Sequence, residues 1–134
     1  MMNVEEIEGR IVKQLQLDIP DLEVLAFPDR PESYDVIHPV GAILVSMDRV
    51  NFIQPNDFWN QGLTIQFEVV LLIKNLRNHQ GAYELLDRIR KSVTSLGFGA
   101  LRLYCLTQYF AARENELWNY TSTFIIPDFQ YIGE

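Results

Sequence analysis

The sequence predicts an α+β domain in which two helices pack on one face of a mostly antiparallel sheet of about five strands. The segment 63–74 carries the clearest signal, because every second residue from its start is apolar. A period of two is typical of a strand with one buried face. Shortly afterwards, residues 81–95 change to helical spacing, with one apolar side from Leu85 to Leu96. Short connections then join consecutive strands on either side of this helix, which favours antiparallel hairpins.

The elements are predicted in the order helix, three strands, helix, two strands. Asn3 stands at an N-cap position, and regularly spaced apolar residues then predict the first helix, which Pro20 ends. Gly9 inside this helix indicates close packing against a neighbouring element. Gly97 is expected in the left-handed position after the second helix. The predicted helices are residues 4–17 and 81–95, and the predicted strands are residues 22–27, 41–50, 63–74, 101–111 and 117–126, the last ended by Pro127.

The composition predicts one globular domain over residues 1–134, since 48% of the residues are hydrophobic and 22% are charged. No apolar run reaches the roughly 20 residues that cross a bilayer, and the N-terminus lacks the apolar core of a signal peptide. We therefore expect no contact with a membrane. We expect the protein to assemble in the cytoplasm. The net charge of −7, with nine acidic and three basic residues among the first 35, opposes binding to a phosphate backbone. Specific nucleic-acid binding is not expected.

No catalytic, cofactor-binding or metal-binding motif occurs in the sequence. His38 and His79 are the only histidines, and they lack the spacing of metal ligands. No glycine-rich loop stands before a helix to hold a phosphate. Asp48 and Glu68 fall on neighbouring predicted strands and leave one enzyme hypothesis, an acid-dependent hydrolase, but the lysine expected beside a nuclease-like acid pair is missing. We therefore expect no enzyme, no cofactor and no metal. The lone Cys105 is expected to be a small buried apolar residue.

The connection at residues 51–62 is unusual for a loop, because four large apolar residues stand among prolines and amides. These residues are Phe52, Ile53, Phe58 and Trp59. They either form a small local core or fill a surface of another molecule, since exposed aromatic residues in loops mark interfaces. Phe129, Tyr131 and Ile132, beyond Pro127, either pack on their own sheet or dock on another subunit. We predict a contact role for the aromatic connection, and the outer strands of the sheet offer further unpaired backbone groups.

Four short segments carry a resemblance to a known family. They are Asp29-Arg30-Pro31 after the first strand, AILVS at 42–46, TIQFEVVLL at 64–72, and Glu116-Leu117-Trp118 leading into TSTFII at 121–126. With this order of elements, the chain resembles phage tail terminator proteins over nearly its whole length. Within this family, the chain resembles the Mu-like tail terminators and the lambda tail terminator (its minor tail protein U). Caps of headless contractile injection systems belong to the same group.

The resemblance implies a six-fold ring that caps the tail tube once its length is set, with no active site. It implies contacts with further copies of the chain, with the tail tube protein, and with a sheath or neck protein, as part of a phage tail or injection particle. The expected subunit or tube contacts are Phe52, Ile53, Phe58, Trp59, Phe129 and Tyr131. The expected acidic residues of the ring's lumen are Glu5, Glu8, Asp29, Glu32 and Asp35. The alternative hypothesis is a small monomeric adaptor or chaperone that binds one partner through the aromatic connection.

A closed ring needs two different patches that complement each other on every subunit. Besides the aromatic connection, the sequence offers an acidic N-terminal third and a basic set further along the chain. The basic set comprises Lys74, Arg77, Arg88, Arg90 and Arg102.

Overall fold

The structure, a computed structural model, describes residues 3–26, 36, 39–52, 60–74, 80–99, 101–114 and 116–132. The predicted α+β fold and the predicted order of the helices and main strands are confirmed. The two helices are α1 (Val4–Asp18) and α2 (Gln80–Thr94). The strands are β1 (Glu23–Ala26), β2 (Gly41–Phe52), β3 (Asn60–Lys74), β4 (Gly97–Phe98), β5 (Leu101–Arg102), β6 (Tyr104–Glu114) and β7 (Leu117–Ile132).

Five of the strands form one sheet in the order β1-β2-β3-β7-β6, and the short strands β4 and β5 pair only with each other. The first pair, β1 and β2, is parallel, and the other three pairs in the sheet are antiparallel. The stretch between β1 and β2 is long enough for the crossover that a parallel pair needs. The last strand, β7, lies inside the sheet, so β1 and β6 are its two edges.

The hydrophobic core lies between the helices and one face of the sheet. The predicted apolar side of α1 is buried there through Ile7, Ile11 and Leu15. Phe67 of β3 and Phe124 of β7 are register partners and are both fully buried in the same cluster. The period-two pattern of the third predicted strand thus marks the face that the helices cover.

The predicted start of the first helix is confirmed, because the Asn3 side chain accepts a hydrogen bond from the Glu6 amide at 2.8 Å. Two expectations about glycines are wrong. A Cβ added at Gly9 would meet no atom within 4 Å, so this glycine marks no close packing. Gly97 is a strand residue, and the left-handed glycine is Gly99, with φ 66°, because the turn between β4 and β5 lies there.

The last strand continues beyond Pro127, contrary to the sequence-based prediction. Leu63 of β3 pairs with Phe129, whereas two residues further along β3 the partner is Ile126, so two residues of β7 stand opposite Thr64 alone. This β-bulge contains Pro127, and a bulge tolerates a residue that has no N–H to donate. The backbone of the C-terminal segment therefore pairs with its own sheet. Of the two alternatives given for this segment, packing on its own sheet is the one that holds for the backbone.

Candidate interaction surfaces

The ends of three strands lie together at one end of the sheet, which we call the projecting end and define as residues 51–52, 60–62 and 129–132. These ends pair with one another in register. The strands β3 and β7 have 15 and 16 residues, and each helix has 15. Because a strand rises about 3.3 Å per residue and a helix about 1.5 Å, β3 is about twice as long as either helix. Neither helix alone therefore spans the whole length of β3 or β7.

The projecting end brings together residues that the sequence predicted as contacts. Phe52 is 64% exposed, as a contact role requires. Leu63 pairs with Phe52 on one side and with Phe129 on the other, so these three residues lie in one cross-strand row. The backbone of Tyr131 continues β7 at the same end. Ile53, Phe58 and Trp59 lie outside the described residues, as do the side chains of Phe129 and Tyr131.

The second surface is the β6 edge, which we define by its four exposed apolar side chains. No described strand pairs with the outer side of β6. The four side chains are between 42% and 56% exposed, which is far more than a strand that is covered on both sides would show. They are Tyr104, Leu106, Tyr109 and Phe110. The register against β7 shifts twice along the strand, after Cys105 and after Phe110.

The β6 edge is held firmly against the core. The Gln108 side-chain amide donates to the Leu86 carbonyl of α2 at 2.8 Å and to the Ser122 hydroxyl of β7 at 3.0 Å. The Phe110 ring lies 5.3 Å from the Tyr120 ring between centroids, a normal distance for packed aromatic pairs. A partner would therefore meet a preformed surface.

The opposite edge of the sheet is already protected. The strand β1 has only 4 residues. The Gln16 side-chain amide of α1 donates to its Val24 carbonyl at 3.0 Å. Short length and covered backbone groups are the usual means by which proteins prevent strand pairing at an edge. The two edges therefore differ, and β6 is the one suited to accept another chain.

Two of the five predicted acidic lumen residues, Glu5 and Glu8, lie on α1 in the described part of the chain. Glu5 is exposed in the first turn of α1. Glu8 is engaged within the fold, because its carboxylate accepts a hydrogen bond from the Met47 amide at 3.2 Å, beside the bulge in β2. Asp29, Glu32 and Asp35 lie outside the described residues.

Two members of the predicted basic set, Arg88 and Arg90, form ion pairs within the chain. Arg88 of α2 binds both carboxylate oxygens of Asp21, at 2.9 and 3.4 Å, and this lowers the pKa of Asp21. Arg90 and Lys91 both form ion pairs with Asp87. Of the described members of the set, Arg102 is exposed and forms no ion pair with another described residue. Arg77 lies outside the described residues, and Lys74 is half-buried.

The acidic pair of the enzyme hypothesis lies on the sheet face opposite the helices. The Asp48 carboxylate accepts a hydrogen bond from the Gln66 side chain at 2.8 Å and contacts the Arg49 guanidinium at 3.2 Å. Burial, and secondarily the charge of Asp48, raises the pKa of Glu68. No group of three potential metal ligands occurs among the described residues. Asp48 is therefore a surface carboxylate whose hydrogen-bond and ion-pair partners are Gln66 and Arg49.

We expect Glu68→Gln to raise the thermal unfolding temperature at pH 7. A raised pKa means that the folded state favours the protonated carboxyl. The wild-type protein therefore loses stability as the pH rises from 4.5, the ordinary pKa of a glutamate, towards the higher pKa of Glu68 in the folded protein. Glutamine stays neutral at every pH and avoids this loss. The gain should therefore disappear well below pH 4.5, where Glu68 is protonated in both states. Thermal denaturation between about pH 3 and about pH 8, which spans the titration of carboxyls, checks this. A Glu68→Gln variant that is less stable than wild type at neutral pH would contradict it.

A protein-family model matches most of the chain. No curated protein matches the chain. Within the described residues, no helix is long and apolar enough to cross a membrane. The model of the Gp37 protein family matches residues 11–131, which include nearly all of the five-stranded sheet, the whole of α2 and the second half of α1. The chain therefore belongs to the Gp37 family, a phage-related protein family.

Proposed function

We propose that this protein forms a six-fold ring that caps the tail tube of a phage or of a phage-tail-like injection particle and ends tube polymerisation. Membership of the Gp37 family indicates a phage structural protein and a component of the virion. Family membership alone does not give the capping role. We propose that role from the resemblance to tail terminators. We also propose that the protein has no enzymatic activity, because its conspicuous features are contact surfaces.

The projecting end is the observation that carries this proposal. It contains Phe52 of the aromatic connection, which is exposed and lies in one row with Phe129. An apolar side chain at the tip of an extended sheet gains little stability for its own fold and much on contact with another protein. A ring requires such a patch to meet a different patch on the next subunit. The tube protein and a sheath or neck protein are the further partners that we propose.

The lumen of this ring is expected to be acidic or neutral. A basic collar would hold a passing nucleic acid through the release of its counterions, which would hinder transit. Glu5 and Glu8 are candidates within the described residues, and Asp29, Glu32 and Asp35 are candidates outside them. Arginines that line the central hole of an assembled ring would contradict this part of the proposal.

Phe52→Ser is expected to leave the free energy of unfolding within about 0.5 kcal/mol of wild type, because an exposed side chain contributes little to the core. The same variant should bind tail tubes poorly, since it removes an apolar contact from the projecting end. Chemical denaturation and co-sedimentation with purified tubes measure the two effects. Phe58→Ser and Trp59→Ser in the adjoining connection should behave in the same way.

Leu17→Ser is the matched control, because Leu17 is 75% exposed but lies on α1, away from the projecting end. It should neither unfold the protein nor weaken tube binding. Normal tube binding by Phe52→Ser would count against a contact role for the projecting end. A stable monomer that binds one other protein but no tube would favour the adaptor alternative.

A further inference from the structure

The β6 edge has a basic residue just before one end and an acidic residue at the other, where the guanidinium of the neighbouring Arg113 lies over the Trp118 ring. Arg102 is the last residue of β5, where it pairs with Gly97, and it lies two residues before β6, whose last residue is Glu114. Both side chains are exposed, and within the described residues neither forms an ion pair. Each is six residues from Gln108, which lies between the two bulges of the strand. The charges are therefore arranged almost symmetrically about the middle of the edge.

Antiparallel pairing of this edge with a copy of itself would bring the opposite charges together. A two-fold axis near Gln108 places Arg102 of each copy beside Glu114 of the other, so the pairing makes two ion pairs across the interface. The long side chains of both residues tolerate the local register changes that the bulges introduce. A parallel arrangement would instead place like charges together, which is destabilising.

The apolar side chains of the edge fit the same arrangement. The two-fold axis places Leu106 of one copy opposite Phe110 of the other, and this pair occurs twice in the dimer. Each half-exposed aromatic side chain offers on the order of 100 Å². Three aromatic side chains and the smaller Leu106 of each copy therefore offer at most about 800 Å² in total, and the newly paired backbone and the charged ends add to this. The interface then approaches the roughly 1,000 Å² of a weak but specific contact.

We propose that the occupant of the β6 edge is β6 of a second copy, paired antiparallel about a two-fold axis near Gln108. Such an interface is the same patch on both subunits and closes at two copies. It differs from the heterologous contact of a ring, and it does not rest on the tail-capping function. A protein that forms this dimer and caps no tube would leave the proposal intact.

Charge reversal of the two ends tests the proposal directly. The wild-type protein should sediment with twice the mass of one chain at micromolar concentration. Arg102→Glu alone and Glu114→Arg alone each place like charges together at both ends and should weaken dimerisation by at least about tenfold. The double variant Arg102→Glu/Glu114→Arg restores both ion pairs and should dimerise to within about threefold of wild type. Binding of a different partner at this edge predicts no such rescue.

Circular dichroism should show an unchanged fold in all three variants, because both side chains are exposed. Leu106→Lys places a charge in the centre of the edge and should also give monomers. A wild-type protein that stays monomeric at all concentrations would overturn the proposal. So would an oligomer whose mass is unchanged by Arg102→Glu, or a double variant that folds but fails to regain the dimer. Failed tube capping with an intact dimer would count only against the proposed function.

Discussion

Gly41→Ala is expected to destabilise the protein by at least about 2 kcal/mol. A Cβ at this position would lie 2.0 Å from the Leu72 carbonyl oxygen and 3.2 Å from the Ile73 Cα, both of which belong to the backbone of β3. These atoms cannot move aside as a flexible side chain would, because Gly41 pairs with Ile73 and Ala42 with Leu72 in the β2–β3 ladder. The ladder must therefore open at the start of β2, next to fully buried core residues.

Gly9→Ala is the matched control for this experiment. An added Cβ there meets no atom within 4 Å, and alanine is the better helix former, so we expect a gain of up to about 1 kcal/mol. Urea denaturation of the two variants beside the wild type measures both changes. Equal stability of Gly41→Ala and wild type would mean that β2 and β3 do not approach each other as closely as described.

The sequence predicted those parts of the fold that depend on local pattern. The alternation along residues 63–74 identified β3, and the apolar spacing of α1 identified its buried side, because burial on one face imposes the period directly. The end of β7 was predicted wrongly, because Pro127 would interrupt a regular ladder. Its place in a β-bulge depends on the pairing with β3, which a single strand does not reveal.

The candidate interaction surfaces could be predicted only in part. Phe52 stood out because four large apolar residues in one connection are unusual, and its exposure agrees with that prediction. The β6 edge was missed, although Tyr104, Leu106, Tyr109 and Phe110 break the regular alternation of a half-buried strand. Whether such a strand lies at an edge depends on the order of strands in the sheet, and here β7 separates β6 from β3. That order is set by long-range pairing.

Deletion of the gene is expected to have the largest effect on the particle. If a ring of this protein ends polymerisation of the tube, its absence leaves the growing end open, and subunits continue to add. Tails should then vary widely in length, whereas the baseplate end, which is assembled before the cap, should look normal. A plasmid copy of the wild-type gene should restore uniform tails, and a copy with Phe52→Ser should restore them poorly.

The distribution of tail lengths in the deletion strain, measured by electron microscopy, tests the capping role most directly. The expected result is a broad distribution that extends well beyond the wild-type length, on particles with normal baseplates. Tails of wild-type length in the deletion strain would contradict the proposal that this protein ends the tube.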